Sequence, residues 1–314
     1  MATRGTPITA DLVKSALEGK RFNIADSLLA GALLISLFSS LFVLITLLAD
    51  TLRTALPVFA ERGMDFVTSS LSADPSKAGV VQGVLGSLAL TGFVVAVGFP
   101  LGVSAAIYLE EYAEDNWFTR LITANVRNLA GVPSVVYGIL GLALFVNLLG
   151  GLTNGRTVVS GGLTLTVVVL PIMIITTSEA LRAVPETVRE ASYGVGATKW
   201  ETIRHHVLPI ALPTILTGTV LTVARAFGES APLLLAGALV TNFFQPSADA
   251  SVVQLITDER YTALPLVVFN WARQPQQEFV QLTAAAVVVL LVLLLSVNAT
   301  TILLRDRFET KSQR

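Results

Sequence analysis

The sequence contains no cysteine, and only 14% of its 314 residues are charged. The lack of cysteine excludes a disulfide framework and thiolate-bound metal sites. Soluble domains carry about 25% charged residues, so the scarcity of charge excludes an ordinary soluble domain. A net charge of −1 argues against a nucleic-acid partner, because nucleic acids bind basic faces. The P-loop, HExxH and nucleophile-elbow motifs are missing too, so we do not expect an enzyme that hydrolyses ATP itself.

Apolar residues dominate the remainder: they make up 53% of the chain, and the mean hydropathy is +0.70. A helix needs about 20 mostly apolar residues to span a bilayer, and six segments meet this requirement. They lie at about residues 27–49, 79–109, 129–152, 158–178, 207–240 and 280–304. The fifth is too long for one span, so we expect it to end in a short re-entrant or tilted piece. The pattern predicts an all-α, polytopic membrane protein with about six transmembrane helices, surrounded by membrane lipid.

Lys and Arg are distributed unevenly between the two sides of these predicted spans. Most of the 21 lie in the two termini, the second-to-third connection and the fourth-to-fifth connection. Positive charge accumulates on the cytoplasmic side of membrane proteins. We therefore expect both termini to be cytoplasmic, together with the fourth-to-fifth connection. On the opposite side, the aromatic and apolar stretch 258–279 is typical of partial re-entry or interfacial packing.

The fourth-to-fifth connection contains EASYGVGATKW, residues 190–200, which is charged and glycine-rich although apolar segments flank it. Pro185 suits the first turn of a helix, and Gly194 and Gly196 offer a place for that helix to end. Val188, Ala191 and Val195 follow one another at helical spacing and predict an apolar stripe. The pattern predicts a short helix on the cytoplasmic face.

A second helix is predicted directly after these glycines. Thr198 and Glu201 have the T-x-x-E spacing of a capping box, in which each side chain bonds the backbone of the other residue. Pro209 restricts Leu208 to an extended conformation, so we expect this helix to end near Val207 and the next membrane helix to begin at Pro209 or Pro213. The resulting helix–turn–helix is either an ordinary interfacial connection or a docking element for a cytoplasmic partner.

The segment EASYGVGATKWETIRHHVLP resembles the EAA loop of ABC importer permeases. The residues that match in type and spacing are Glu190, Ala191, Gly196, Leu208 and Pro209. Ser192 replaces the second alanine of the pattern, and His206 stands where the pattern prefers isoleucine. In the family this loop forms a coupling helix that seats in a groove of the ATP-hydrolysing subunit. The resemblance therefore implies that residues 190–192, 196, 208 and 209 couple transport to ATP hydrolysis.

Longer segments are similar to the PstA-type permeases of ABC phosphate importers. They include AAIYLEEYA, GVPSVVYGILG, GGLTLTVVVLPIMI and TGTVLTVARAFGESAPLLLAGA. The resemblance implies a type I ABC importer permease fold in a bacterial or archaeal cell (inner) membrane. It also implies a homologous PstC-like permease subunit, two ATP-binding subunits that hold ATP and Mg²⁺, and an external phosphate-binding protein that delivers phosphate. No cofactor is expected on this chain.

The same resemblance suggests a division of the chain. Residues 1–78 would comprise a cytoplasmic tail, the first transmembrane helix and an external connection. Residues 79–304 would form the permease core, with the cytoplasmic coupling loop at 179–206, and residues 305–314 a cytoplasmic tail.

We expect the acidic run at 110–115 to be a solvated face, or alternatively a surface that touches a partner. His205 and His206 point to different helix faces, so we expect no metal site.

Arg225 and Glu229 are charged residues within an apolar stretch, four positions apart and so on one helix face. Charge inside a membrane is costly and normally faces a polar interior. Guanidinium donates two parallel hydrogen bonds and suits a tetrahedral oxyanion, while a nearby carboxylate limits how tightly the anion is held. These residues are candidates for the translocation path. The alternatives are a structural pair that locks two helices, or an arginine that extends to water.

Other functions remain in competition. The chain could be the PstC-like partner or a permease for another oxyanion. A secondary anion transporter would need inverted repeats and its own coupling carboxylates, whereas only Glu229 lies in a predicted span and no repeat is visible. An intramembrane enzyme would need a polar catalytic cluster in a span, and the sequence contains none.

Overall fold

A computed structural model describes residues 24–238 and 261–312. Within these ranges every regular element is helical. The helices are α1 (Ile24–Arg62), α2 (Asp65–Thr68), α3 (Val81–Tyr112), α4 (Trp117–Ala130), α5 (Ser134–Leu148), α6 (Gly150–Thr153), α7 (Val158–Arg182), α8 (Glu186–Gly194), α9 (Lys199–Gly228), α10 (Ala231–Leu235), α11 (Leu264–Trp271) and α12 (Glu278–Ser312).

Five of these helices are long and apolar enough to cross a membrane. They are α3, α7, α9, the part of α1 from Asp26 to Arg62 and the part of α12 from Glu278 to Thr300. Helices α4 and α5 meet the same criterion only as a pair bent by 103°. The bend lies where the pattern predicted the third span to begin. Gly131 closes α4, and Pro133, with φ −56° and ψ 135°, is extended and precedes α5. The predicted all-α architecture with about six spans is confirmed.

The chain divides into two compact units, residues 1–50 and 51–314. In the first unit, the described part of α1 exposes Leu and Phe side chains on all sides, as a lipid-facing helix does. In the second unit, α7 is the central helix, and α3, α4, α5 and α9 pack around it. Because 67% of its most apolar window is buried, α7 forms the scaffold on which the rest is arranged.

Small residues allow the neighbouring helices to approach α7 closely. A Cβ atom built on Gly102 of α3 would lie 2.7 Å from Met173 Cγ, and one on Gly218 of α9 would lie 2.8 Å from Thr176 Cβ. Helices in membranes associate mainly through such close packing, since lipid offers them no hydrophobic driving force. These two glycines therefore bring α3 and α9 close to the same turn of α7, since Met173 and Thr176 are three residues apart.

Two helices continue through a proline. A π-helical turn at Val94–Gly98 precedes Pro100 in α3, and another at Ile203–Val207 precedes Pro209 in α9. The predicted break before Pro209 is wrong: Leu208 is helical, with φ −60° and ψ −45°. Proline normally breaks a helix because its ring meets the carbonyl four residues earlier. The extra residue of a π turn displaces the preceding carbonyls, so that the helix absorbs the ring without ending.

Two short helices fill the predicted irregular regions. Helix α10 follows α9 after two residues and packs against α5, where Gly138 leaves room for Pro232. This agrees with the predicted short piece after the fifth span. Helix α11 is buried and packs on α3 and α12, whereas the partial re-entry or interfacial packing expected for residues 258–279 stays a prediction. Residues 239–260 of these regions lie outside the described part.

Candidate functional site

Residues 186–207 fold into a tight hairpin at one end of α7 and α9. We call this segment the coupling hairpin. Its first helix, α8, begins at Glu186. Pro185 was predicted to lie in the first turn, but with φ −58° and ψ 140° it is the capping residue that directly precedes the helix. The helix ends at Gly194, and Gly196 turns the chain with φ +88°. A left-handed conformation of this kind is readily adopted only by glycine, so the predicted glycine stop is confirmed.

The second half of the coupling hairpin begins with the predicted capping box. The Thr198 backbone N–H donates to Glu201 Oε2 over 2.8 Å, and the Glu201 backbone N–H donates to Thr198 Oγ1 over 3.3 Å. Both bonds satisfy N–H groups that have no partner within the helix. The box therefore sets the start of α9 at Lys199, and the hairpin leads without interruption into a membrane-spanning helix.

The two halves of the hairpin are joined by a buried hydrogen bond between hydroxyl groups. Ser192 Oγ and Thr202 Oγ1 lie 2.8 Å apart, and both residues are buried. This contact explains why serine stands where the EAA pattern has alanine: its extra hydroxyl is matched by a threonine on the facing helix. Sequence comparison with the pattern alone treats the change as a mild departure, whereas it is half of a bonded pair.

Replacing Ser192 with alanine should lower the free energy of unfolding by about 1–2 kcal/mol, because it leaves the buried Thr202 hydroxyl without this partner. Chemical unfolding of the purified protein in detergent micelles measures the change. The S192A/T202V double variant should lose less than the sum of the two single variants, with a coupling energy of about 1 kcal/mol. Strictly additive losses would show that the contact contributes nothing.

The residues of the predicted coupling set do not all face the same way. Glu190, Ala191, Gly196 and Pro209 are exposed, Leu208 is half-buried and Ser192 is buried. The residues of the predicted apolar stripe differ in burial: Ala191 and Val195 are exposed, and Val188 is half-buried. Of its members only Val188 packs inward, against the apolar cluster that contains Leu181, Val207 and Ile215.

Apolar side chains on the outer face of the hairpin are exposed instead. The exposed fraction is 85% for Val195 and 53% for Trp200. Ala191 is exposed beside them, and a Cβ atom on Gly194 or Gly196 would meet nothing within 4 Å. We call the residues Ala191, Val195 and Trp200 the outer face of the hairpin. An outer face of this composition is typical of a contact surface rather than of a solvated loop.

The inner face of the hairpin is held by a buried ion pair that the sequence did not predict. Arg189 Nη2 donates to Glu111 Oε1 over 2.8 Å and to the Leu181 carbonyl over 3.0 Å. Its Nη1 donates to the Val184 carbonyl over 2.9 Å and approaches the Glu186 carboxylate at 3.3 Å. The hydrogen bond to Glu111 raises the pKa of Arg189 above its ordinary value, so the guanidinium group stays charged.

Glu111 belongs to the π-helical turn Tyr108–Tyr112, which ends α3. We call this the terminal π turn. The expectation that the acidic run 110–115 is a solvated face is wrong at two positions, because Glu111 is buried and Glu110 forms a bidentate pair with Arg182 at 2.6 and 2.9 Å. No local pattern marks these partners, since they lie 72 and 78 residues away.

A third contact joins the terminal π turn to the start of α9. Lys199 Nζ lies 5.2 Å from the centre of the Tyr112 ring, which is within cation–π range. Together these side chains border a polar groove of about 600 Å³ at the inner face of the hairpin. The groove residues that carry charge are Glu110, Glu111, Arg182, Glu186, Arg189 and Lys199.

The second predicted site lies at the far end of α9. Arg225 Nε is 3.5 Å from Glu229 Oε1, so the predicted pairing at four-residue spacing is confirmed as geometry. Arg225 is in the last turn of the helix, and Glu229 is the residue at which the helix ends. The side chain of Arg225 is 46% exposed and that of Glu229 16% exposed. The guanidinium group therefore remains accessible although it has an ionic partner.

In the described residues no three Asp, Glu or His side chains are placed to hold a metal ion. His205 and His206 are both exposed on the first part of α9. The described sites thus offer an exposed apolar face, a network of ion pairs and, at the end of α9, the accessible guanidinium group of Arg225. They suit docking and charge-based binding.

Comparison with known proteins identifies the family. Residues 98–311 match the model of the family described as binding-protein-dependent transport system inner membrane component. The chain belongs to this family. The permease is thus a polytopic membrane protein and a transport subunit of an ABC importer rather than an enzyme.

Curated relatives extend the similarity over most of the permease. It is 32% identical over 246 residues to the probable ABC transporter permease protein YqgI of Bacillus subtilis, which covers 76% of the chain and 83% of that protein. It is 33% identical over 251 residues to the phosphate transport system permease protein PstA of Xylella fastidiosa, covering 78% and 82%. It is 29% identical over 274 residues to the phosphate transport system permease protein PstA of Haemophilus influenzae, and this match covers 87% of the chain and 91% of that protein.

Solved structures of ABC importers share the fold. A bacterial alginate ABC transporter in complex with its alginate-bound periplasmic protein matches with a TM-score of 0.63 at 16% identity, covering 88% of the permease and 93% of that chain. The MetNI methionine ABC transporter in an inward-facing conformation matches with a TM-score of 0.55 at 18% identity, and the match covers 73% of the permease and 95% of that chain. The predicted type I ABC importer permease fold is confirmed.

Proposed function

We propose that the permease forms half of the path by which an ATP-driven importer brings inorganic phosphate across the membrane. The observation that carries the proposal is that relatives named as phosphate transport permeases are 29–34% identical over most of the chain. The quoted segments that resemble PstA-type permeases lie in α3, α5, α7 and α9, the helices that pack into one bundle.

The proposed assembly contains a homologous PstC-like permease subunit, two ATP-binding subunits that bind ATP and Mg²⁺, and an external phosphate-binding protein. In this assembly residues 79–304 are the transport core, 179–206 the coupling loop, and residues 1–78 and 305–314 the flanking segments. Both termini lie in the cytoplasm of a bacterial or archaeal cell. The distribution of Lys and Arg supports this orientation.

The outer face of the coupling hairpin is the proposed docking surface for an ATP-binding subunit. Ala191, Val195 and Trp200 supply exposed apolar area there, and Gly196 sets the turn that presents them. ATP-driven closure of the two ATP-binding subunits would displace the hairpin and, through α9 and α7, switch the access of the path. Glu190, Ser192, Leu208 and Pro209 support the same function by holding the geometry of the loop and of its junction with α9.

Arg225 is the proposed anion contact of the path. Its side chain is 46% exposed although Nε lies 3.5 Å from a Glu229 carboxylate oxygen, so the guanidinium group is accessible to an anion. A tetrahedral oxyanion can accept parallel hydrogen bonds from such a fork. Glu229 would compete with the anion for the guanidinium group and so promote its release.

Uptake by the assembled complex in proteoliposomes tests the proposed substrate. We expect ATP-dependent import of radiolabelled phosphate that a hundredfold excess of sulfate or molybdate does not inhibit. ATP-dependent import of radiolabelled sulfate or molybdate, without import of radiolabelled phosphate, would instead identify a permease for another oxyanion. Import without ATP but with an ion gradient would indicate a secondary transporter.

A further inference from the structure

The terminal π turn contacts three separate elements through three consecutive side chains. Glu110 pairs with Arg182 at the end of α7, Glu111 pairs with Arg189 in α8, and Tyr112 lies over Lys199 at the start of α9. Consecutive residues of a helix project about 100° apart, so a helix end can reach three neighbours only when they surround it. The end of α3 is therefore enclosed by the coupling hairpin and by the helix that leads into it.

The Glu111–Arg189 contact is the most enclosed of the three. The exposed fraction is 6% for the Glu111 side chain and 12% for the Arg189 side chain, whereas Arg182 is 57% exposed. Arg189 also bonds the Leu181 and Val184 carbonyls, which lie at the carboxyl end of α7, where helix carbonyls lack partners within the helix. One guanidinium group thus ties α8 to α3 and to α7 at the same time.

Helix α3 has no chain connection to the coupling hairpin. Short segments join α8 to α7 and to α9, so any displacement of the hairpin reaches those two helices through the backbone. For α3 the described polar contacts with the hairpin are those of the terminal π turn, beside the apolar cluster that Ala106 of α3 shares with Val207 of the hairpin. Because a buried charge that loses its partner is strongly disfavoured, the Glu111–Arg189 pair is expected to persist while the hairpin moves.

We propose that Glu111 is a positioning residue for transport: through Arg189 it makes α3 follow the coupling hairpin when an ATP-binding subunit displaces it. The inference rests on the proposed docking of an ATP-binding subunit at the hairpin. It assigns to α3 a direct mechanical link that neither the backbone nor the EAA pattern provides. Glu110, one residue earlier, holds α3 to α7 alone and is the natural control.

The test follows the movement of α3 in the assembled complex. Since the permease has no cysteine, a fluorophore on Leu101→Cys, an exposed position of α3, reports on that helix in a complex whose partners are also cysteine-free. In the parent complex, ATP should change the fluorescence. We expect Glu111→Gln to reduce this change at least fivefold and phosphate imported per ATP hydrolysed at least tenfold. Glu110→Gln removes the same charge from the same turn and should change both values by less than twofold.

Two further variants keep the test informative if Glu111→Gln assembles poorly. Arg189→Lys keeps the charge but cannot bond Glu111 and both carbonyls together, and Glu111→Asp shortens the carboxylate by one methylene. Both should assemble and show intermediate losses of the ATP-dependent signal. A full signal in Glu111→Gln, or equal losses in Glu110→Gln and Glu111→Gln, would overturn the proposal. Failure of the docking proposal is distinguishable, because it is measured by copurification of the ATP-binding subunit with outer-face variants of the hairpin.

Discussion

Replacing Val195 with aspartate is expected to abolish copurification of the ATP-binding subunit with the permease. Val195 is 85% exposed on the outer face of the hairpin, so the substitution perturbs no internal packing. In a docked complex the new carboxylate would be buried without a partner. An unpaired buried charge costs several kcal/mol, and each 1.4 kcal/mol lowers affinity about tenfold. We expect at least a hundredfold weaker association, measured by pull-down of the purified subunits.

The matched control is Leu152→Asp. Leu152 is 84% exposed and lies in the short helix α6 at the connection between α5 and α7, away from the coupling hairpin in the sequence. The introduced charge and the exposed fraction are nearly the same, so a general effect of added charge on expression or membrane insertion would appear in both variants. Equal association of Val195→Asp and Leu152→Asp with the ATP-binding subunit would contradict the proposed docking surface.

Replacing Arg225 with alanine is expected to reduce phosphate uptake at least a hundredfold and to leave assembly intact. Charge-assisted hydrogen bonds contribute about 1.5–3 kcal/mol each, so the loss of two accounts for this factor. Arg225→Lys keeps the charge but not the parallel donors, and should retain about a tenth of the uptake. The measurement is ATP-dependent import of radiolabelled phosphate by the reconstituted complex.

Two controls separate binding from structure at this site. Arg273→Ala removes another exposed arginine, one that lies over the Phe269 ring, and should leave uptake within twofold of the parent value. Glu229→Gln removes the competing carboxylate, so it should retain phosphate binding and slow its release. If the pair only locks the end of α9, Arg225→Ala and Glu229→Gln should instead lower the unfolding temperature equally, and phosphate binding should be unaffected.

The features predicted correctly from the sequence are those set by neighbours along the chain. The glycine turn at Gly196 and the box formed by Thr198 and Glu201 depend on residues within a few positions, so their spacing suffices to predict them. The pairing distance of Arg225 and Glu229 follows equally from helical periodicity. Their place in a translocation path stays a prediction, because a single chain does not define the path between two subunits.

The features that escaped prediction depend on packing between distant segments. Glu111 meets Arg189 because α3 packs along α7, and the two residues are separated by 78 positions without a local signal. The continuity of α9 through Pro209 was missed for a different reason. A proline favours a helix start in most settings, and the π turn that accommodates it has no marker in the residues from Ile203 to Val207.

Helix α9 joins the coupling hairpin and a membrane-spanning segment in one continuous helix. If the helix ended before Pro209, the hairpin and the spanning segment would meet at a hinge. A displacement of the hairpin would then bend the hinge instead of moving the spanning segment. Instead, a single helix extends from Lys199 to Arg225, a length of about 39 Å at the usual rise per residue. Pivoting such a rod by about 10° at its hairpin end would sweep Arg225 through about 7 Å, more than the width of a phosphate ion. The π turn at Ile203–Val207 thus keeps α9 continuous, and with it the element that would transmit the proposed displacement of the hairpin.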